Sequence, residues 1–163
     1  MPPFSFWTQI TPRVPHGQAQ AQHASAWQLL KAGVTQQTGV PECQQQYTTS
    51  AAGKPLLVHP AGQVSLSHTR GMVAVAYAAD ACSIGIDIER LDRKVRYRQL
   101  AQHYFATEEV AALVQLEPAA AQHLFMQLWV LKEAAIKALG STLASDLRRL
   151  RFEQQASVWQ GFY

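Results

Sequence analysis

The first part of the chain has a strand pattern followed by a helix pattern. FSFWTQI, residues 4–10, alternates apolar and polar positions as a half-buried strand does, and a cluster of Pro12, Pro15 and Gly17 ends it. Residues 21–40 repeat apolar side chains at helical spacing and stop near a glycine and a proline. We therefore expect a strand, a loop and a helix in that order.

The middle of the chain has the pattern of several short strands. The apolar runs KPLLV, QVSLSH and MVAVAYA are separated by the turn sequences HPAG and HTRG. SIGIDIE, residues 83–89, then places three isoleucines on one side of an extended chain and Gly85, Asp87 and Glu89 on the other. This alternation predicts a further strand that buries one side and projects two carboxylates together.

The last part of the chain predicts helices and then two strands. Residues 97–116 have the spacing of one or two helices, and Pro118 interrupts the pattern. The run AAAQHLFMQLWVLKEAAIKALG predicts a long helix that ends at Gly140. The closing segments LRRLRF and ASVWQGFY are typical of short strands.

Composition places the chain among globular proteins. It has 163 residues, of which 48% are hydrophobic and 15% charged, so one domain or two small halves can bury a core. The net charge of +3 permits an acidic partner or a phosphorylated ligand but is far below that of a histone-like protein. The positive charge is concentrated in one short segment, formed by Arg90, Arg93, Lys94, Arg96 and Arg98.

Cysteine usage and the ends of the chain bear on location. Cys43 and Cys82 have neither metal-type nor redox-type spacing and do not form a disulfide framework, which favours a reducing compartment. The N-terminus lacks the charge and apolar pattern of a secretory leader, and we find no apolar run of about 18 residues. The sequence therefore predicts a cytoplasmic protein without a membrane span.

Acidic and basic side chains at two places suggest phosphate chemistry. Asp87 and Glu89 would repel each other unless a cation or a proton relieved the repulsion, and Mg²⁺ prefers carboxylate oxygens. Glu133, which shares a helix face with Lys137, is a candidate third ligand, and Lys132 and Lys137 would neutralise phosphate oxygens. Each feature alone also fits a solvated strand face or an ordinary surface Glu–Lys pair.

Taken together, the two motifs resemble a known family. GIDIE at 85–89, followed by WVLKEAAIK at 129–137, resembles the paired signature G-[IV]-D-[IV]-E and W-x-x-K-E-[AS]-x-x-K of the 4'-phosphopantetheinyl transferases. The chain also has that family's GKP turn at Gly53-Lys54-Pro55 and its S-H-[ST] strand end at Ser67-His68-Thr69. An F-x-x-x-E element, Phe105 to Glu109, lies between the two signatures.

The resemblance implies transfer of the 4'-phosphopantetheine arm of coenzyme A to a serine of an acidic apo carrier protein, with release of 3',5'-adenosine bisphosphate. It implies Mg²⁺ as cofactor, held by Asp87, Glu89 and Glu133, with Glu133 also helping to deprotonate the serine. It implies that Lys137 neutralises the departing phosphate and that Lys132 contacts a phosphate. The implied nucleotide contacts are Gly53, Lys54, Pro55, Ser67 and His68.

The resemblance also implies an α+β fold of two pseudo-equivalent halves, each a small, mainly antiparallel sheet packed on a long helix. The halves are expected at 1–82, with the nucleotide contacts, and at 83–163, with the metal site and an abbreviated end. No nucleic acid or membrane partner is expected, and the chain is predicted to be a monomer or an edge-paired dimer. A non-catalytic descendant that binds an acidic protein or a nucleotide through the same cleft remains the alternative.

Overall fold

The N-terminal part of the computed structural model combines a three-stranded sheet, a hairpin and one long helix. The structure describes residues 4–11, 18–79, 83–141 and 146–163, so the cluster of Pro12, Pro15 and Gly17 and the residue Cys82 lie outside the described residues. The elements in chain order are β1 (Phe4–Ile10), α1 (Gln18–Thr38), β2 (Gln46–Thr49), β3 (Pro55–His59), β4 (Gln63–Thr69) and β5 (Met72–Ala78). One antiparallel sheet has the order β1-β5-β4, and β2 pairs with β3.

Helix α1 packs on one face of the three-stranded sheet. Val73, Val75 and Tyr77 alternate toward this face and form a buried cluster with residues of α1 that include Leu30 and Val34. At Gly33, an added Cβ would lie 2.7 Å from the Trp7 ring, so the absence of a side chain lets β1 and α1 approach closely. The predicted strand–helix start of the chain is thus confirmed.

The opposite face of the sheet carries small and polar side chains. Ala74 and Ala76 of β5 are buried there, and the register aligns them with Ser67 and Ser65 of β4. On the outer strand β1, the same face is largely apolar, with Phe4, Phe6 and Ile10 between 56% and 80% exposed. The row of hydroxyl groups on β4 faces the segment that carries the two carboxylates.

The prediction of a strand at SIGIDIE is wrong. Residues 83–90 form neither a helix nor a strand, although hydrogen bonds to Ser65, Ser67 and Thr69 hold them beside β4. The contact is made by side chains of β4, and the Ile86 N–H donates to Ser65 Oγ at 3.1 Å. Gly85 lies against the backbone of the long C-terminal helix, where an added Cβ would fall 1.9 Å from Ala134 O. The segment is therefore held between β4 and that helix instead of joining a sheet.

Within residues 83–141 and 146–163, the C-terminal part contains a group of helices and a closing hairpin. These are α2 (Tyr97–Tyr104), α3 (Thr107–Val114), α4 (Pro118–Leu139), β6 (Arg151–Gln155) and β7 (Val158–Phe162), with β6 and β7 antiparallel. Pro118 lies in the first turn of α4, and Gly140 ends that helix at φ 66°, which favours glycine. Trp129 packs with Phe125 and Phe105 in the aromatic core of this part.

The observed architecture confirms the predicted α+β fold with small antiparallel sheets and long helices. One buried cluster is built from residues between 7 and 77, and two others from residues between 95 and 159. The division at 82/83 stays a prediction. Phe152 and Trp159 of the closing hairpin pack on the C-terminal core. Across the described ranges, every helix falls short of the length and apolar character needed to cross a membrane.

Candidate active site

Asp87 lies where β4, the 83–90 segment and α4 meet. Its Oδ1 lies 2.6 Å from Lys137 Nζ and accepts a hydrogen bond from Ser67 Oγ at 2.7 Å. The Asp87 side chain is only 8% exposed, whereas Lys137 is 30% exposed. The first signature is thus connected to the second by an ion pair that reaches the surface on the lysine side.

Glu89 lies two residues further along the same edge of β4. Thr69 Oγ1 donates to Glu89 Oε2 at 3.1 Å, and Arg93 forms an ion pair with Glu89 Oε1. Because Ser67 and Thr69 are also two residues apart, both carboxylates meet hydroxyl groups on one face of β4. The side-chain alternation expected from the sequence is kept, although the strand itself is not formed.

Glu133 extends from α4 on the same helix face as Lys137, one turn earlier. Burial raises the pKa of Glu133 above its ordinary value, and the negative charge of Asp87 raises it further. Lys137 opposes this rise, Glu89 adds to it, and Arg93 opposes it. The structure therefore brings the three predicted carboxylates into one electrostatic group with two cations.

The three carboxylates interact electrostatically, but they do not surround a single point. Within the described part of the chain, no three His, Cys, Asp or Glu side chains are grouped closely enough to hold a metal ion. The donor chemistry nevertheless suits a hard cation, since burial is the main cause that raises the pKa of Glu133 and the charges of Asp87 and Glu89 add a repulsion that a cation would relieve. Lys137 contacts a carboxylate oxygen of Asp87, and Arg93 contacts one of Glu89.

His68 lies on the face of β4 opposite to Ser67, so the structure separates two residues that the sequence grouped together. Its ring centroid is 6.1 Å from that of His23 on α1, and His23 Nε2 accepts a hydrogen bond from Trp27 Nε1 at 3.0 Å. Burial lowers the pKa of His68, and His23 and Lys137 lower it further. The sequence did not single out His23 as a site residue.

The turn at Gly53–Pro55 contacts α4 and the 83–90 segment. Lys54 Nζ donates to Ala138 O at 3.0 Å and to Ile84 O at 3.4 Å. Gly53 has a φ of 83°. This lysine, expected beside the nucleotide, thus has its ammonium directed at two backbone carbonyls.

Lys132 lies apart from the site residues, although it precedes Glu133 in the sequence. Its side chain is fully buried, and its Nζ pairs with Glu109 Oε2 at 2.8 Å and donates to the carbonyl oxygens of Leu147 and Leu150. Adjacent helix residues point about 100° apart, so the two side chains leave α4 in different directions. The geometry gives Lys132 an internal structural role and does not fit the expected phosphate contact.

Glu109 was named in a motif by sequence but given no role. Besides Lys132, it accepts hydrogen bonds from the backbone N–H groups of Ala106 at 2.9 Å and Phe152 at 3.0 Å. The carboxylate therefore joins the start of α3, helix α4 and strand β6. The F-x-x-x-E spacing was the only signal that could have indicated this junction.

Open space adjoins the carboxylates on the side of Glu89. A pocket of about 400 Å³ is lined by side chains of the β4–β5 turn and of the basic segment, namely Thr69, Arg70, Glu89, Arg90, Asp92 and Arg93. Arg90 is paired with Asp92 at its rim. An anionic ligand could therefore reach the acidic residues past several cations.

Comparison with known proteins gives consistent results. Residues 83–159 match the model of the 4'-phosphopantetheinyl transferase superfamily. A Synechocystis protein provisionally named a 4'-phosphopantetheinyl transferase is 32% identical over 122 residues, which cover 72% of this chain and 48% of that protein. The 4'-phosphopantetheinyl transferase HetI of Nostoc is 31% identical over 112 residues, 65% of this chain and 46% of HetI.

The 4'-phosphopantetheinyl transferase Sfp of Bacillus subtilis is 27% identical over 135 residues, 80% of this chain and 58% of Sfp. The chain spans about half the length of the curated relatives it matches. The region that matches the family model begins at the 83–90 segment and includes α4, which together carry both signatures. The chain belongs to the 4'-phosphopantetheinyl transferase superfamily.

Proposed function

We propose that this protein transfers the 4'-phosphopantetheine arm of coenzyme A to a serine of an apo carrier protein. The serine hydroxyl oxygen bonds to the phosphorus that carries the pantetheine, the pyrophosphate bridge to the nucleotide breaks, and 3',5'-adenosine bisphosphate leaves. The observation that supports this most is the Asp87–Lys137 ion pair, because it joins the two signatures at a partly open site.

Two residues of α4 supply the proton and charge chemistry in this proposal. Glu133 accepts the serine proton, directly or through water, and Lys137 stabilises the negative charge that develops on the leaving phosphate. Both extend from one helix face, so a single rigid element sets their separation. Lys137 would exchange its contact with Asp87 for contacts with the pyrophosphate.

We propose Asp87, Glu89 and Glu133 as the Mg²⁺ ligands. When bound, Mg²⁺ would neutralise pyrophosphate oxygens and the three carboxylates. Ser67 and Thr69 orient the carboxylates of Asp87 and Glu89 by donating hydrogen bonds to them. Since the Ser67 hydroxyl is committed to Asp87, we assign it this orienting role rather than a contact with coenzyme A.

For the nucleotide, we propose the backbone of the Gly53–Pro55 turn as the wall beside the adenine and His68 as the contact of the 3'-phosphate. His68 is half-buried and lies beside a second imidazole, that of His23. Among the residues that the structure describes, Cys43 is an exposed free cysteine. We propose further that the enzyme is cytoplasmic and that its carrier protein serves fatty acid, polyketide or nonribosomal peptide synthesis.

A direct transfer assay tests the proposal. The protein is incubated with coenzyme A, Mg²⁺ and a panel of apo carrier proteins, and the mass of each intact carrier is measured. We expect at least one carrier to gain one phosphopantetheine group, and we expect this gain to be lost with chelator and in Glu133→Gln. Coenzyme A binding without a mass gain in any carrier would favour the non-catalytic binder instead.

A further inference from the structure

We propose that Lys54 is a positioning residue that fixes α4 against the 83–90 segment and so sets the distance between Lys137 and the carboxylates. The inference rests on the proposed function, because it concerns the same site. It gives the lysine of the GKP turn a role other than contact with the nucleotide.

The turn that carries Lys54 is itself well ordered by hydrogen bonds. Ser50 N–H donates to Lys54 O at 2.9 Å, Gly53 N–H donates to Ser50 O at 2.9 Å, and Lys54 N–H donates to Ser50 Oγ at 3.0 Å. Gly53 adopts a φ of 83°, which a side chain would strain. The backbone from which the lysine extends is therefore fixed before its side chain makes any contact.

The ammonium of Lys54 binds the C-terminal end of α4. The last carbonyls of a helix lack intrahelical partners, and the N–H groups of Gly140 and Ser141 both donate to one of them, Ile136 O. Lys54 Nζ donates a hydrogen bond to another of these carbonyls, Ala138 O, at 3.0 Å. A cation at this end also complements the negative pole of the helix dipole.

The same ammonium binds the 83–90 segment. It lies 3.4 Å from Ile84 O, and the next residue, Gly85, lies directly against the α4 backbone at Ala134 and Ala138. Lys54 thus contacts the residue after Lys137 on one side and the start of the segment leading to Asp87 on the other. Lys137 and Asp87 therefore each lie within a few residues of a carbonyl group that Lys54 binds.

The Lys54 ammonium has little hydrogen-bonding capacity left for a ligand. An ammonium has three N–H groups, and two of those in Lys54 point to backbone carbonyls. The side chain is half-buried, and burial lowers its pKa. Loss of this side chain should let α4 shift relative to Asp87 and leave the nucleotide wall intact.

The proposal predicts a specific kinetic pattern for Lys54→Met. Interactions needed only in the transition state affect kcat more than ground-state binding. We expect kcat for phosphopantetheine transfer to fall about tenfold or more, while the Kd of adenosine 3',5'-bisphosphate, measured by calorimetry, stays within about twofold. Lys54→Arg keeps several donors and should recover most of kcat. Lys31→Met on α1 is the matched control for the loss of one lysine.

Gly85→Ala tests the same arrangement without changing Lys54. An alanine Cβ there would lie 1.9 Å from Ala134 O and 2.6 Å from Ala138 N, so the segment must move away from α4. We expect the same fall in kcat with unchanged binding of the bisphosphate. Gly85→Ala also tests the proposal if circular dichroism shows that Lys54→Met does not fold.

Any other pattern in folded protein overturns the proposal. A raised Kd with unchanged kcat would make Lys54 a nucleotide contact, and unchanged constants would make it a surface residue. A readout without activity separates this from failure of the proposed function: hydrogen exchange at the Ile86 amide, which donates to Ser65, should accelerate in Lys54→Met. Unchanged exchange there overturns the inference even if the parent protein transfers nothing.

Discussion

At the scale of residues, Lys137 connects the two signatures and is the most direct test of the chemistry. It lies 2.6 Å from Asp87 and is 30% exposed, so it can turn from the carboxylate to an entering phosphate. We expect Lys137→Ala to lower kcat by about 100-fold or more and to weaken coenzyme A binding much less, since the lysine acts mainly on the leaving group.

Steady-state kinetics with saturating carrier, together with direct measurement of coenzyme A binding, checks the Lys137→Ala prediction. Lys31→Ala on α1 is the control, and its kcat should equal that of the parent protein. A Lys137→Ala variant that loses binding and kcat in equal proportion would place the lysine in ground-state binding of the nucleotide.

Lys132 shows what a linear motif does not reveal. The sequence places it beside Glu133, but its partner Glu109 lies on another helix, and only the packing of α3, α4 and β6 brings the pair together. Asp87, Glu89, Glu133 and Lys137 were predictable as a group because the resemblance covers all four. The hydroxyls that orient the carboxylates and the acceptors around Lys132 depend on tertiary contacts, which spacing cannot encode.

We expect Lys132→Met to destabilise the protein strongly. Its ammonium is fully buried, and its loss leaves the Glu109 carboxylate buried, with two backbone carbonyls deprived of a donor. Removing one partner of a buried ion pair costs about 3–5 kcal/mol. Urea unfolding should show this loss, whereas Lys31→Met should change the free energy of unfolding by less than about 0.5 kcal/mol. A Lys132→Met variant as stable as the parent would contradict the structural role and favour the phosphate contact that the sequence predicted for Lys132.

At the scale of elements, periodicity predicted every long helix and most strands correctly. The MVAVAYA run became the central strand β5, and the run to Gly140 became α4. Strand β2 was missed because QYTT has only one large apolar side chain and pairs with β3 alone. SIGIDIE was predicted as a strand because alternation predicts an extended chain but does not identify its neighbour. Here the neighbours are hydroxyl groups and a helix backbone.

The basic segment between Arg90 and Arg98 contains cations of two kinds. Arg90 and Arg93 are already paired with Asp92 and Glu89, whereas Lys94 and Arg96 are exposed and form no ion pair among the described residues. Charge reversal at Arg93 would therefore disturb the carboxylate group itself. Only the exposed cations are suitable for testing attraction of an acidic carrier.

We expect Lys94→Glu with Arg96→Glu to raise the KM for the carrier severalfold at low ionic strength and to leave the KM for coenzyme A unchanged. Exposed charges act over about 10 Å at 0.1 M salt, so the effect should shrink as salt is added. Initial rates at two salt concentrations measure it. A carrier KM that is unaffected at low salt would show that this segment takes no part in docking.

At the scale of the whole molecule, the proposed metal site joins β4, the 83–90 segment and α4. A ligand that binds only the folded state stabilises it, by about 2.7 kcal/mol at a concentration of 100 times Kd. We expect Mg²⁺ to raise the Tm of the parent protein by several degrees. Asp87→Asn should abolish the rise and leave the metal-free protein about as stable as the parent, because relief of the repulsion from Glu89 and Glu133 offsets the loss of the ion pair with the partly exposed Lys137.

Differential scanning calorimetry with and without Mg²⁺ checks this expectation, with Ca²⁺ as a comparison ion. A Tm shift that persists in Asp87→Asn would locate the bound ion elsewhere on the chain. Equal Tm values for the parent protein with and without Mg²⁺ would remove the ion from the proposal altogether.

The exposed apolar side chains of the outer strand β1 have a practical consequence for handling the protein. An edge strand with no charged residue and with Phe4, Phe6 and Ile10 exposed resembles the segments through which proteins aggregate. Recovery at high concentration should therefore depend on what is fused ahead of Met1. A charged N-terminal tag should keep the protein soluble at high concentration, whereas a short neutral tag should allow aggregation through β1. Light scattering would detect the difference.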